Sequence, residues 1–169
     1  MGVSFIPEDR MSTGMDAKAS IADNLLFGRQ RTKEFSLFGI HLRRGRVREH
    51  AEKLAERFDI RTSGVDEPAS ALSGGNMQKV VIAREFSFDT PVLVISQPTR
   101  GVDIGAIEFI HEHIIRKRNE GCAILLISAG LDELFRLSDT LVRSYSLEAG
   151  RYFGTTSLRY HHYRECPGS

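Results

Sequence analysis

Residues 91–103 read PVLVISQPTRGVD, and this stretch decides the fold class. The four residues from Val92 are apolar and mostly β-branched, a pattern that predicts a buried parallel strand. In α/β folds, ligands bind at the loop that follows such a strand. Hydrolytic chemistry at that loop would need carboxylates to hold a metal ion and to activate water. Ser96 and Gln97 stand there instead, so the loop lacks the acids that its position calls for.

Strand and helix patterns alternate on the C-terminal side of this stretch. The apolar spacing predicts strands at 92–95, 122–128 and 140–145, and helices at 104–117 and 131–137. This alternation indicates βαβ units on a parallel sheet. Residues 155–169 show no clear periodicity and stay unassigned.

The N-terminal side predicts a short strand and two helices. GVSFIPEDR at the N-terminus is a strand that runs into a polar turn, and SIADNLLF is a helix capped by Ser20. GRVREHAEKLAERFDI places Val47, Ala51, Leu54 and Phe58 on one helical face. The intervening residues, 29–46, are irregular and basic.

Composition narrows the class of protein. The chain has 169 residues, 41% hydrophobic and 27% charged, with a net charge of +1, which indicates one ordinary globular domain. No apolar run has the length of a membrane span and no signal peptide is evident. Two cysteines, Cys122 and Cys166, do not make a disulfide framework. A reducing, cytoplasmic setting is expected.

The strongest chemical signal lies at 71–88, ALSGGNMQKVVIAREFSF. Ser73, Gly74 and Gly75 precede an apolar helical pattern. A hydroxyl and open backbone amides at a helix start attract an anion, and the helix dipole adds to the attraction. The alternative is that Ser-Gly-Gly is only a flexible turn and cap.

Taken in order, these motifs resemble the C-terminal part of an ATP-binding cassette of an ABC transporter. LSGGNMQKVVIARE is similar to the family signature, VLVISQP to the Walker B strand, TRGVD to the D-loop and LLISAGLDE to the switch-loop strand. The forms LSGGNMQK and PTRGVDIGAIEFIH are those of importers of simple sugars and nucleosides. FIPEDRMSTGM resembles the Q-loop of the second of their two cassettes. The resemblance covers residues 2–154.

The resemblance implies a fold and a set of site residues. The fold is an α/β P-loop NTPase-type parallel sheet, incomplete here, with an α-helical subdomain. The nucleotide-binding residues implied are Ser73, Gly74, Gly75, Asn76 and Gln78. Glu8 would belong to the Q-loop and Asp103 to the D-loop, with a structural or communicating role.

Several family features are missing. No GxxxxGK[ST] phosphate loop occurs in the sequence. Ser96 stands at the magnesium-organising aspartate, Gln97 at the catalytic glutamate and Ala129 at the switch-loop histidine. Glutamine cannot act as a general base, a role that contributes about 10²–10⁴-fold to rate. These degenerate positions imply no catalytic residue in this chain, and the chain alone is expected to be inactive.

The resemblance also implies a division of the chain. Residues 1–16 would be core strand and Q-loop, 17–70 the helical subdomain, and 71–154 the rest of the ATPase core. Residues 155–169 are a tail without assignment. Because the sequence begins at the Q-loop strand, the cassette is interpreted as truncated: a fragment, a gene remnant or an expressed subdomain.

Two cassettes of this family sandwich ATP head to tail. The implied function is therefore part of the ATPase subunit of a sugar or nucleoside importer, which lends its signature to a partner site while its own site is degenerate. ATP and Mg²⁺ would bind only in the complete two-cassette assembly. The implied partners are another cassette, a transmembrane permease and, indirectly, a substrate-binding protein. The implied location is peripheral, on the cytoplasmic face of the membrane.

Three alternatives stay open. The chain could be a non-catalytic module that docks to a cassette or permease, or a soluble ABC-type ATPase acting on DNA or ribosomes, which PTRGVDIGA and the near-neutral charge disfavour. The degenerate positions could also be drift in a dead remnant, although the intact signature argues against drift.

Histidines and basic residues outside these motifs favour simpler interpretations. The spacing of His111 and His113 does not place both on one helical face, so a solvated surface is expected rather than a metal site. For His161, His162 and Cys166 in the tail, a disordered chain end is expected rather than a metal site. The basic stretches FGRQRTKE and HLRRGRVR lack interleaved aromatics, which favours a solvated or partner-facing surface over nucleic-acid binding.

Overall fold

The computed structural model describes residues 2–145 and 154–159 of the chain. The strands are β1 (Val3–Ile6), β2 (Ser36–Leu37), β3 (His41–Leu42), β4 (Val92–Ser96), β5 (Ala123–Ile127), β6 (Thr140–Tyr145) and β7 (Gly154–Arg159). The helices are α1 (Ile21–Leu26), α2 (Arg44–Arg57), α3 (Gly74–Ser87), α4 (Ile104–Asn119) and α5 (Leu131–Leu137). One π-helical turn (Arg10–Gly14) and one 3₁₀ turn (Ala69–Ala71) complete the set. The chain divides into two compact units, residues 1–127 and 128–169.

A three-stranded parallel sheet with strand order β1-β4-β5 organises the first unit. Val3 pairs with Val92, and Val92 pairs with Ala123. Alternate residues of β4 point to opposite faces of a sheet, and Leu93 and Ile95 are buried. The parallel sheet predicted from 91–103 is therefore confirmed for β4 and β5.

The opposite face of the sheet is apolar and exposed. Five side chains on it are large hydrophobics that solvent reaches: Val3, Phe5, Val92, Leu125 and Ile127. Parallel sheets normally have both faces covered. Only one face of this sheet is covered within the described residues of the first unit.

The helices that precede α3 follow their sequence signals. Ser20 caps α1, its hydroxyl accepting a hydrogen bond of 3.0 Å from the amide of Asp23. The predicted apolar face of α2 is buried, and α1 packs against both α2 and α3. The basic stretch 29–46 is not wholly irregular, because it contains the antiparallel hairpin β2–β3. All of these elements lie within the first unit, and the division at 16 and 70 stays a prediction.

The burial of the two histidines of α4 differs from the sequence prediction. His111 and His113 were predicted to be solvated, but each is only 6% exposed. The ring of His113 packs on Phe58 and Phe109, with centroids 4.9 and 4.0 Å away, and its Nδ1 donates to the carbonyl of Phe109 at 2.9 Å. The prediction was wrong because α4 buries more than one face, so residues two apart are both covered.

The strand pairing in the second unit differs from the predicted sheet. Strand 140–145 was predicted to continue the βαβ pattern, but β6 pairs antiparallel with β7 instead. The pairing runs over six residues, from Thr140↔Arg159 to Tyr145↔Gly154. The partner strand lies largely in the tail left unassigned, so its weak periodicity hid the hairpin. His161, His162 and Cys166 lie outside the described residues.

Over the part of the chain that the structure describes, no helix is both long and apolar enough to span a bilayer.

Candidate functional site

The start of α3 carries an exposed hydroxyl. Ser73 is the N-cap, and its Oγ accepts hydrogen bonds from the side-chain amide of Asn76 at 3.0 Å and, at 3.4 Å, from the backbone amide of the same residue. The first amides of any α-helix lack partners inside the helix. Together with the dipole of a 14-residue helix, the exposed hydroxyl and these amides suit a phosphate oxygen.

The glycines at this helix start are required by close packing. A Cβ on Gly75 would lie 2.7 Å from a carboxylate oxygen of Asp103 and 3.3 Å from the Cβ of Ala106. A Cβ on Gly74 would lie 3.3 Å from the carbonyl oxygen of Gly101. The loop after β4 therefore packs directly on the start of α3, and only glycine fits at 75.

Asp103 holds that loop in place. Its side chain caps α4 by accepting a hydrogen bond of 2.9 Å from the amide of Ala106. Because the same carboxylate lies against Gly75, one residue fixes the start of α4 and its distance from the start of α3. The predicted D-loop residue is thus next to the predicted signature.

Asn76 and Gln78 differ in position. The Oδ1 of Asn76 accepts a hydrogen bond of 2.9 Å from the amide of Arg61, so Asn76 ties α3 to the segment after α2. Gln78 is 2% exposed, and its Nε2 has no hydrogen-bond partner within the described residues. The structure therefore places Gln78 in the core and the other four predicted nucleotide-binding residues at the start of α3, where Ser73 is exposed and Gly75 is buried.

The end of β4 forms a strained turn without acids. Ser96 is the last residue of β4, and Gln97 has a left-handed backbone with φ of 49°. The Gln97 amide donates to the carbonyl of Ile127 at 2.8 Å, and its carbonyl accepts from the amide of Arg100 at 3.2 Å. Such a conformation costs about 1–3 kcal/mol in a non-glycine residue. The turn is specified by the fold, but the side chains at 96 and 97 supply no carboxylate.

Glu8 pairs with the loop after β4. Its carboxylate forms an ion pair with the guanidinium of Arg100. The neighbouring Asp9 caps the π-helical turn, accepting from the amides of Met11 at 2.9 Å and Ser12 at 3.2 Å. Hydrogen bonds from Ser12 and Met11 lower the pKa of Asp9, so the cap is charged at neutral pH.

Arg10 is the site residue that the sequence analysis missed. Its Nη1 donates to the carbonyl of Arg100 at 2.9 Å and its Nη2 to the carbonyl of Gly101 at 3.3 Å. Nη2 also lies 2.9 Å from the position of a Cβ on Gly74. The motif PEDR was noticed, but nothing in the sequence indicates which backbone oxygens its arginine reaches.

The cluster of Glu8, Arg10, Gly75 and Asp103 is therefore one connected site. Ala129 lies between β5 and α5, in the second unit, and has no polar side chain.

The donor set fits a phosphate better than a metal ion. Magnesium prefers carboxylates and waters, and neither Ser96 nor Gln97 supplies one. Within the described residues, no three His, Cys, Asp or Glu side chains group as metal ligands. The start of α3 offers a hydroxyl and backbone amides, which suit an anion.

The known proteins to which the chain is similar include three import ATP-binding proteins. The chain is 42% identical over 139 residues to the nucleoside import ATP-binding protein NupA of Lactococcus lactis subsp. cremoris, with 82% of the chain covered. It is 46% identical over 151 residues to the glucose import ATP-binding protein TsgD13 of Haloferax volcanii, with 87% covered. It is 40% identical over 140 residues to the guanosine import ATP-binding protein NupO of Bacillus subtilis, with 83% covered. No protein-family model matches the chain.

The chain spans only 27% of the length of each of these relatives. Among solved structures, it is similar to the dimeric ATP-binding cassette MJ0796 bound to ADP and Pi, with a TM-score of 0.62 and 17% identity. That match covers 83% of this chain and 57% of the other, which confirms the P-loop NTPase fold of ABC cassettes. The chain belongs to the ATP-binding cassette family, in the group of sugar and nucleoside import ATP-binding proteins.

Proposed function

We propose that the chain is part of the ATP-binding subunit of an importer of simple sugars or nucleosides. In this proposal it presents its LSGGN signature to ATP held by a partner cassette, while the site on its own side is degenerate. The names of the relatives, which specify import of nucleosides, glucose and guanosine, support the class of cargo.

One contrast within the first unit carries the proposal. The start of α3 keeps an exposed Ser73, its amides and the glycine that close packing requires. The end of β4 keeps its turn, through the hydrogen bond from Gln97 to Ile127, but has no acid. The start of α3 thus keeps groups that suit an anion, whereas the end of β4 lacks a side chain that could activate water.

The bound groups would be ATP and Mg²⁺, in the complete two-cassette assembly. ATP supplies the phosphoryl group whose hydrolysis drives import. Ser73 and the first amides of α3 would bind a phosphate oxygen, and the helix dipole would stabilise its charge. Gln97 would orient water without accepting its proton. Asp103 and Arg10 would hold the start of α3 at a fixed distance from the loop after β4.

The proposal includes a position and partners. The chain would be part of the second cassette of a two-cassette polypeptide, on the cytoplasmic face of the membrane. The helical subdomain and the Glu8 loop would contact a transmembrane permease, and a substrate-binding protein would act through that permease.

A second candidate function is a non-catalytic module that docks to a cassette or permease and regulates it. The missing phosphate-loop motif and the absence of acids at 96 and 97 favour it for the chain acting alone. Both candidates predict binding to a cassette, but only the first predicts that binding depends on ATP at the start of α3.

Capture of a complete cassette by the purified chain tests the proposal. The cassette carries a glutamine in place of its catalytic glutamate, so that bound Mg-ATP persists. We expect capture with Mg-ATP to exceed capture with Mg-ADP by about tenfold or more. Ser73→Arg should abolish the difference, because a bulky cation would occupy the phosphate position.

Two variants complete the test. Gln97→Ala should leave capture unchanged, and Thr32→Arg, at an exposed threonine before the β2–β3 hairpin, controls for added charge. Capture that is equal with both nucleotides and insensitive to Ser73→Arg would contradict the proposal and favour the regulatory module.

A further inference from the structure

The hairpin β2–β3 projects three apolar side chains into solvent. Leu37, Phe38 and Ile40 are all exposed, with Phe38 96% and Ile40 81% exposed. Single exposed hydrophobics are common on protein surfaces. Here three occur within four residues, at the tip of a hairpin.

The turn holds Phe38 in a strained backbone. The amide of Ile40 donates to the carbonyl of Leu37 at 3.1 Å, which closes a four-residue turn. Both central residues have positive φ, 55° at Phe38 and 75° at Gly39. Asn, Asp or Gly is usual at the first of these positions, and a bulky side chain there is an outlier. An outlier of this kind points to a functional demand on the side chain.

The base of the hairpin is anchored in the core. Phe35 is buried, its ring packs on His50 with centroids 4.9 Å apart, and its carbonyl accepts from the amide of Arg43 at 2.8 Å. The tip is therefore presented by a fixed base.

Cations flank the hairpin in the sequence. Residues 29–46 contain six arginines or lysines and one acid, Glu34, whereas the whole chain has a net charge of only +1. Arg29 and Arg44 are engaged, with the carbonyl of Ser87 and the carboxylate of Asp23. Three exposed cations form no ion pair within the described residues: Arg31, Lys33 and Arg43.

We propose that this hairpin tip binds the surface of an anionic phospholipid membrane. Phe38 and Ile40 would enter the boundary between headgroups and acyl chains, and Arg31, Lys33 and Arg43 would lie among the anionic headgroups. The cations that flank the hairpin are complementary in charge to that surface. Nucleic acid would use the cations but would leave the aliphatic side chain of Ile40 in water.

The inference rests on the proposed function only for the presence of a membrane nearby. Vesicle binding needs neither ATP nor a second cassette. The two proposals can therefore fail independently of each other.

Tryptophan fluorescence tests the inference directly. The chain has no tryptophan, so Phe38→Trp introduces a single reporter at the tip. Vesicles of phosphatidylcholine with phosphatidylglycerol should shift its emission to the blue, and brominated acyl chains should quench it. Vesicles of phosphatidylcholine alone should bind at least about fivefold more weakly, and high salt should reduce the difference.

Phe38→Asn separates binding from folding. Asparagine suits a left-handed turn position, so the melting temperature should rise by about 2–4 °C. Phe38→Asn should also sediment less with anionic vesicles than the parent chain does. The decrease should correspond to an affinity for the vesicles that is about tenfold lower. Replacement of Arg31, Lys33 and Arg43 by glutamine should also reduce sedimentation.

Matched controls use residues outside the hairpin. Leu131→Ser removes another exposed apolar side chain, and Lys18→Gln removes another exposed cation. Neither should alter vesicle binding. Emission that does not shift with anionic vesicles would overturn the proposal. So would a shift that requires DNA or appears only when the vesicles contain a permease.

Discussion

The guanidinium of Arg10 donates a 2.9 Å hydrogen bond to the carbonyl oxygen of Arg100. The two residues belong to loops that follow neighbouring strands, β1 and β4. A second bond from Arg10, to the carbonyl of Gly101 at 3.3 Å, brings the same side chain against the start of α3. The turn after β1, the loop after β4 and the start of α3 are thus held together by one arginine.

Loss of this arginine should destabilise the chain. Arg10→Gln removes both hydrogen bonds to the loop after β4, and we expect the free energy of unfolding to fall by about 1–2 kcal/mol. Urea denaturation followed by circular dichroism measures the change. Arg46→Gln, which removes only an exposed pair with Glu49, should change the free energy by less than about 0.5 kcal/mol. Equal effects of the two substitutions would show that the Arg10 contacts contribute nothing.

Lys79 should be more sensitive than an exposed lysine. Its buried ammonium donates to the carbonyl and carboxylate oxygens of Asp59, at 2.8 and 2.7 Å. Lys79→Met keeps the volume but leaves that carbonyl without its donor, so we expect a loss of about 1–3 kcal/mol. Lys53→Met, which breaks an exposed pair with Glu49, is the control and should cost less than about 0.5 kcal/mol. The same denaturation midpoints for both variants would contradict this prediction.

Stability should fall on acidification through His113. Burial lowers the pKa of His113, with nearby Arg116 and Arg57 acting in the same direction. A histidine whose pKa is lowered by folding binds protons more readily when unfolded. Its contribution is therefore complete above the unfolded pKa of about 6.5 and is lost as the pH falls towards the folded value.

Thermal unfolding at pH 7.5 and pH 5.0 measures this dependence. His113→Gln should reduce the loss of stability between the two pH values, and His50→Gln should reduce it further, because burial lowers the pKa of His50 as well. A pH dependence that is the same in the parent chain and in both variants would exclude these histidines as its source.

The isolated chain should neither bind ATP tightly nor hydrolyse it. The sequence lacks the phosphate-loop lysine, and Ser96 and Gln97 supply no ligand for magnesium. Isothermal titration with Mg-ATP should therefore give no micromolar dissociation constant, and a phosphate-release assay should match the buffer blank. A micromolar constant would show a binding mode that the start of α3 alone does not explain.

The exposed sheet face should make the chain self-associate. Val3, Phe5, Val92, Leu125 and Ile127 form a contiguous apolar strip across three strands, and such strips are rare on monomers. Sedimentation velocity from micromolar to tens of micromolar should show growing species, and Phe5→Thr with Leu125→Thr should reduce them. A monomer with a sharp, concentration-independent melting transition would contradict this.

Local signals in the sequence predicted much of the fold. The caps at Ser20 and Ser73 and the apolar run of β4 depend on neighbouring residues, and their elements lie where the sequence placed them. The β6–β7 hairpin was missed because its second strand lacks a regular pattern. The burial of His111 and His113 was missed because it depends on how many sides of α4 are covered, which is a tertiary property.

The candidate site divides in the same way. Ser73, Gly74 and Gly75 could be singled out because a hydroxyl and two glycines before a helix have a local chemical meaning. The role of Arg10 could not, since its acceptors lie some ninety residues away in the chain. The burial of Gln78 likewise follows from packing, and its place beside the signature gave no sign of it.

The register of the sheet also determines when β1 and β4 can pair during synthesis of the chain. Val3 pairs with Val92, so β1 waits for its neighbour β4 until about ninety more residues are made. At roughly 5–20 residues per second, that wait lasts on the order of 5–20 s. During it, α1 and α2 have time to form, whereas Val3 and Phe5 cannot yet pair with β4. A nascent chain of this sequence therefore leaves the apolar β1 without β4 long enough for a ribosome-bound chaperone to hold it.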